Sequence, residues 1–313
     1  MEQFFAVLNQ IIIFLILILL GILAVKTSIL DEQSLGNLSK LVMRMALPAY
    51  IFINTAEGAT KTGLISSLMV IPLAIGLYLI LFLLSQLLIR LFGIQGNRAK
   101  VLQAIVMFGN VGFLGIPLLV ELYPDKALLY VSLFTILDQS LFWTYGVSLT
   151  KPAAQTHSGL SLRGLHNLLS PALIAIVLAT VFVLLNIHLP AVLATACEKL
   201  GTASMPLSLL YIGGMLSLTD VRSVLKCGEL YAEIILKMLL LPIVLYAGIR
   251  LLGLSTDMAG TITFLSGLPA INMVAMLAKA NGSDGDYAVC AVMMTTIASL
   301  VTLPLVSLGV SLI

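Results

Sequence analysis

Apolar runs of about twenty residues alternate along the chain with short polar stretches, near 4–26, 35–56, 64–91, 101–123, 127–149, 166–187, 190–218, 230–252, 258–280 and 287–312. About 20 apolar residues are what a helix needs to cross roughly 30 Å of hydrocarbon, so the pattern predicts ten transmembrane helices and an all-α polytopic membrane protein. The first run begins with Glu2, lacks a basic n-region and is followed by Lys26, which makes it a helix rather than a signal peptide. Two runs are interrupted. Met107-Phe108-Gly109-Asn110-Val111-Gly112-Phe113-Leu114-Gly115-Ile116-Pro117 breaks the fourth, and Ser266-Gly267-Leu268-Pro269-Ala270-Ile271-Asn272 breaks the ninth. Glycine and proline weaken or end a helix. The backbone groups they release have no water in hydrocarbon, so a break persists only where protein or a wet cavity covers it. Both breaks are therefore candidate site segments.

The longest polar connection, Thr150 to Leu165, separates five runs from five. An odd number of spans per half makes any repeat an inverted one. Internal correspondences support it: Arg90-Leu91-Phe92-Gly93 closes the third run and Arg250-Leu251-Leu252-Gly253 the eighth, each followed some 14 to 16 residues later by a break-opening glycine, Gly109 or Gly267. Pro48 answers Pro206, and Pro72 answers Pro242. The reading is two inverted five-helix repeats, 1–149 and 166–313, joined by a linker over 150–165, with helices 4 and 9 broken and crossing. That is the pattern of inverted-repeat secondary transporters, whose half-helix ends face substrate and ions near the midplane.

Composition agrees. With 60% hydrophobic and 10% charged residues and a mean hydropathy of +1.13, the chain has too little polar surface to cover a soluble globule. A net charge of +2 gives no reason to expect nucleic acid. Cys197, Cys227 and Cys290 are scattered and form neither a disulfide framework nor a metal-ligand spacing. Of the 16 Lys and Arg, twelve, among them Lys26, Arg98, Lys100, Lys151, Arg222 and Lys226, flank the connections after helices one, three, five, seven and nine. Lys61, Lys126, Lys199 and Arg250 lie on the other face. This bias puts the linker in the cytosol and both termini outside, and it places the sequons at Asn37 and Asn281 on the cytosolic side, away from glycosylation.

Chemistry at depth comes from few residues. Asp138 sits near the middle of helix five, where an ionised carboxylate needs partners. With Gln139 and the Asn110 amide oxygen it is a candidate ligand for a coupling ion, since hard cations take carboxylate and carbonyl oxygens. The alternatives are a proton carrier and a protonated packing residue. Asn110 and Asn272 each sit in a break, as substrate contacts or as caps of the half-helices. Lys237 follows Glu233 by four residues, a spacing for an ion pair on one helix face. Its ammonium either snorkels to the cytosolic surface or attracts an anion. His157, His166 and His188 lie in or beside loops, and there is no H-E-x-x-H, G-x-S-x-G or phosphate-binding loop. The chain is thus read as no enzyme and no ATP-driven pump. No cofactor is expected beyond coupled Na⁺ or H⁺.

At these residues the chain resembles the auxin efflux carrier family, which includes plant auxin carriers and bacterial malate- and malonate-permease-like proteins. The resemblance rests on Asn110-Val111-Gly112-Phe113-Leu114-Gly115-Ile116-Pro117, Gln139-Ser140-Leu141-Phe142-Trp143, Lys237 preceding Pro242, Gly267-Leu268-Pro269 with Ala278-Lys279-Ala280-Asn281, and Thr302-Leu303-Pro304. It implies a bile-acid-symporter-type fold with a dimerising scaffold, about 1–56 and 166–218, and a mobile transport domain, about 64–149 and 230–313. It implies a substrate site at the breaks, on Gly109, Asn110, Val111 and Pro117 from one and Pro269 and Asn272 from the other. The implied function is secondary active transport of small organic anions across the plasma membrane by an elevator-like movement, the cargo being dicarboxylates, weak acids or aromatic auxin-like acids. The other class of function is a membrane sensor on a transporter frame. Plant members carry an acidic and a basic residue in helix three, where this chain has Ser66-Ser67-Leu68-Met69-Val70.

Overall fold

Every regular element among the described residues is helical, as expected of a backbone that must satisfy its own hydrogen bonds in hydrocarbon. The computed structural model describes residues 2–58, 68–123, 127–153, 171–219 and 225–312. Ser66 and Ser67 and most of the 150–165 linker lie outside them.

Helix α1 spans Glu2–Lys26. Asp31 caps α2, Glu32–Leu41, by accepting from the Ser34 N–H at 2.7 Å. A π-helical turn, Val42–Ala46, carries α2 into α3, Leu47–Gly58. Then come α4, Val70–Leu91, and α5, Gly96–Met107. After the first break a π-helical turn, Val111–Gly115, leads into α6, Ile116–Leu122. Helix α7, Ala127–Leu141, continues through a further π-turn, Phe142–Gly146, into α8, Val147–Leu149. The second part of the chain holds α9, Pro171–Leu185, α10, Ala191–Thr202, and α11, Ser204–Ser217. Helix α12, Gly228–Glu233, passes through the π-helical stretch Ile234–Leu240 into α13, Leu241–Leu251. Helices α14, Thr256–Ser266, and α15, Asn272–Ala280, flank the second break, and α16, Gly285–Leu312, ends the chain.

Among the described residues, four helical stretches are long and apolar enough to cross a membrane, 70–91, 191–217, 228–251 and 285–310, with hydropathies of 1.2 to 2.3. Polarity is distributed inside out. Leu83, Leu184, Val192, Val244 and Leu251 are exposed, whereas Gln103, Asn110, Asp138, Gln139, Glu233, Lys237 and Asn272 are buried. A surface of aliphatic side chains around a polar interior suits lipid and not water. Helix α1 packs along α11, and α3 along α9 and α10. In the first pair, a Cβ at Gly213 would land on the Ile18 carbonyl and one at Gly21 on the Leu210 carbonyl. Reciprocal glycines of this kind bring two membrane helices into backbone contact.

Candidate functional site

Each break ends a helix where its sequence dictates. Helix α5 stops at Met107, Phe108 turns extended (φ −111°, ψ 108°), and Asn110 (φ −80°, ψ 62°) precedes the π-turn. Helix α14 stops at Gly267, Ile271 is extended (φ −69°, ψ 134°), and α15 starts at Asn272. The two extended segments run antiparallel and pair at Gly109 and Ala270. The Asn110 N–H donates to the Pro269 carbonyl at 2.8 Å and the Ile271 N–H to the Phe108 carbonyl at 3.1 Å. Each break thereby satisfies backbone groups that the other releases. Pro269 has no N–H to leave unpaired, and its carbonyl is the acceptor used. Gly109 is required by proximity, because a Cβ there would stand 3.0 Å from the Leu268 Cβ; at Gly267 it would stand 2.8 Å from the Pro242 Cγ. Thr295 of α16 pins the second break, accepting from the Ala270 N–H at 3.2 Å while donating to the Ala291 carbonyl at 2.9 Å.

Around this crossing the candidate residues divide into two groups. Asn110 and Gln139 share a small cavity of about 20 Å³, together with Tyr50, Asn54, Gly112, Thr135 and Ile271. That is room for about one water. Asp138 does not line it and lies behind Gln139. The Tyr78 hydroxyl donates to Asp138 Oδ1 at 2.5 Å, Gln139 Nε2 donates to Oδ2 at 2.9 Å, and Trp143 Nε1 donates to Gln139 Oε1 at 3.1 Å. Aromatic rings close over this chain, with Tyr78 at 5.9 Å from Phe134 and 6.0 Å from Phe108 between ring centroids. Val111 is buried in the turn after the break. The Pro117 side chain lies outside the described ones.

Asn272 faces α11, its Nδ2 donating to Ser208 Oγ at 3.0 Å. Tyr50 of α3 donates to the Gly112 carbonyl at 2.5 Å. Both contacts join the crossing to helices of the expected scaffold. The buried Oδ1 atoms of Asn110 and Asn272 and the Thr135 hydroxyl have no hydrogen-bond partner.

Above the small cavity, and sharing Tyr50, Asn54, Ile116 and Thr135 with it, opens a cleft of about 670 Å³ that also reaches Glu57, His188, Thr195 and Glu198. A second cleft, of about 240 Å³, opens between α2 and the far end of α15, on Ser39, Lys40, Tyr211 and Lys279.

Lys237 lines none of these spaces, and it does not snorkel. It is 1% exposed; its Nζ donates to the Ile105 carbonyl at 3.2 Å and lies 3.6 Å from Glu233 Oε1. Ile105 is in the last turn of α5, where the break leaves carbonyls without helical donors and a cation is favoured. The Glu233 spacing is realised as an ion pair, but the ammonium caps a half-helix inside the protein.

Tyr78, Thr135, Ser208 and Thr295 escaped the sequence reading, because a lone hydroxyl in an apolar run looks the same whether it faces lipid or a buried amide. For Ser208 and Thr295, proximity to Pro206 and to the motif Thr302-Leu303-Pro304 is the nearest signal.

Comparison with known proteins agrees with this architecture. Over 296 residues the chain is 26% identical to a protein described as an uncharacterized transporter from Methanothermobacter thermautotrophicus, covering 93% of this chain and 94% of that one. A protein of the same description from Methanocaldococcus jannaschii is 24% identical over 304 residues, covering 95% and 96%. The family model described as membrane transport protein matches residues 6–307. With its motif-bearing breaks paired in a polar interior and nearly its whole length matched, the chain belongs to this family of membrane transport proteins, the auxin efflux carrier family, and is a membrane-embedded transporter rather than an enzyme.

Proposed function

We propose that the chain is a secondary active carrier of small organic anions, monocarboxylates, dicarboxylates and related weak acids, working in the plasma membrane by an elevator-like alternating-access movement. The observation that supports this most is the crossing: two broken helices pair through Asn110–Pro269 and Phe108–Ile271 in the buried interior, so their half-helix ends meet at one place. Half-helices meeting at a central site offer N–H groups and positive dipole ends to a carboxylate. In this reading 1–149 and 166–313 are ten spans in two inverted repeats joined by 150–165. The scaffold, about 1–56 and 166–218, dimerises, and the transport domain, about 64–149 and 230–313, moves against it, with both termini outside. Asp138 with Gln139 takes the coupling cation, Na⁺ or H⁺. Lys237 serves the end of α5 rather than the substrate.

Replacing either asparagine tests the reading. Asn110→Ala and Asn272→Ala should each lower substrate affinity about ten- to a hundredfold, the effect of losing a hydrogen bond to a charged group, roughly 1.5–3 kcal/mol. The measurement is uptake and exchange of radiolabelled carboxylates by purified protein in liposomes, with Na⁺ and pH gradients imposed separately. Expression and oligomeric state should be unchanged. If both variants bind and transport like the parent, the crossing is not the substrate site.

A further inference from the structure

The unpartnered amide atoms at the crossing are both oxygens. Asn110 Oδ1 is buried without a donor and lines the small cavity. Asn54 lines both that cavity and the larger cleft, and its Nδ2 is committed to the Tyr50 carbonyl at 2.9 Å, so its oxygen is the group left for a ligand. Reversing that amide would set oxygen against oxygen. Asn272 is fixed in the same way: Ser208 spends its proton on the Met205 carbonyl at 2.8 Å, so Ser208 only accepts from Asn272, and the Asn272 oxygen stays free. Thr135, whose hydroxyl has no partner, lines both spaces as well.

Amide oxygens accept hydrogen bonds and cannot donate them, and an ionised carboxylate is likewise acceptor-only. A dicarboxylate would therefore satisfy none of the asparagine oxygens, leaving buried acceptors unpaired opposite a second negative charge. An ammonium group has three donors and no acceptor. Long-range charge points the same way. Among the described residues, the charged groups lining the larger cleft are Glu57 and Glu198, with His188 beside them. A mouth of that sign concentrates cationic groups and repels dianions.

We infer that the molecule carried through this site is a carboxylate that also bears a protonated amine, an amino-acid-type ligand rather than a dicarboxylate or a hydroxy acid. The inference rests on the carrier reading above and names its substrate class. The amine takes the oxygens of Asn54 and Asn110, which line one cavity.

Two matched pairs of radiolabelled probes test it by counterflow in liposomes: L-aspartate against L-malate, and L-alanine against L-lactate. Each pair differs only in an amine for a hydroxyl. The expected result is that at least one amino member is exchanged, and at least tenfold better than its hydroxy partner. Asn54→Leu should shrink that ratio severalfold. So should Glu57→Gln combined with Glu198→Gln, two exposed positions whose neutralisation leaves the core untouched. A hydroxy member exchanged as well as or better than its amino partner overturns the inference and leaves the carrier reading standing. So does exchange of simple carboxylates when none of the four probes moves. If no carboxylate moves, with or without an amine, both readings fall.

Discussion

A carboxylate at the depth of Asp138 is tolerated because its neighbours donate to it. Its two oxygens receive Tyr78 at 2.5 Å and Gln139 at 2.9 Å, and Gln139 is itself oriented by Trp143. Two donors to the carboxyl group, with Gln139 tethered in turn by Trp143, hold the side chain in one geometry beside the crossing. Asp138→Asn keeps the shape, removes the charge and turns one of the two acceptors into a donor, which the Tyr78 hydroxyl oxygen can accept. If Asp138 couples transport to a cation, this variant loses gradient-driven accumulation and retains substrate exchange, because exchange need not release the cation in each cycle. Tyr78→Phe keeps the ring against Phe134 and Phe108 and deletes one donor, so it should show a partial form of the same defect. Parent-like accumulation by Asp138→Asn under both Na⁺ and pH gradients would make the residue structural. Sequence alone exposed Asp138, Gln139, Asn110 and Asn272, because a polar side chain in an apolar run is conspicuous. Their partners were hidden, since Tyr78 and Thr135 carry no sign of which way they face. Lys237 shows the same limit: the four-residue spacing to Glu233 gave the pair, but whether the ammonium pointed to water or to the end of α5 depended on where the break in another helix placed the Ile105 carbonyl.

At the scale of elements, the two breaks are one object. Neither extended segment could exist in hydrocarbon by itself; pairing at Gly109 and Ala270 satisfies both, and Thr295 supplies the acceptor for the remaining Ala270 N–H. The glycines follow from how close the segments lie. A methyl at Gly267 would press on Pro242 Cγ at 2.8 Å and on the Met238 carbonyl at 3.3 Å. Gly267→Ala should therefore destabilise the protein by about 1–3 kcal/mol, as overpacking does. Gly248→Ala, inside α13 and with nothing within 4 Å to meet, should be neutral to mildly stabilising. Thermal unfolding of the two variants in detergent checks the difference, and equal midpoints would mean that the crossing tolerates displacement of Pro242. The existence and place of both breaks were readable from Gly, Pro and Asn at bilayer depth. Their mutual pairing was not, because the two segments lie about 160 residues apart in the chain and periodicity carries no information across that distance. The π-helical turns at Val42–Ala46, Phe142–Gly146 and Ile234–Leu240 were likewise unmarked, because each lies inside a predicted span and Arg44, Thr144 and Lys237 within them are no helix-breaking signal.

For the whole molecule the prediction concerns sidedness and movement. If the 150–165 linker is cytosolic and both termini lie outside, as the Lys and Arg bias predicts, cysteines introduced in a background lacking Cys197, Cys227 and Cys290 should report it. An impermeant maleimide applied to whole cells should label a cysteine appended after Ile313 and spare Ser158→Cys; the opposite pattern reverses the topology. Movement has its own test. An elevator displaces the transport domain against the scaffold, so contacts across that boundary must break in each cycle. Tyr50 to Gly112 and Asn272 to Ser208 are two of them, but both belong to the crossing, and substituting them would confound binding with motion. The Thr219 hydroxyl, just beyond α11, lies 3.3 Å from Asp286 Oδ1 near the start of α16, on the exposed rim. Thr219→Cys with Asp286→Cys, in the same cysteine-free background, places two thiols across the boundary and away from the small cavity. Asp286 also holds Lys279 at 2.7 Å, so Asp286→Cys alone serves as the control for losing that rim ion pair. Oxidation should abolish uptake by the double variant, and reductant should restore it, while the single variants stay active throughout. Substrate binding should survive the cross-link, because the crossing itself is unchanged. If the bridge forms, verified by mass, and uptake continues at the parent rate, α11 and α16 do not separate during transport and the elevator description is wrong for this protein.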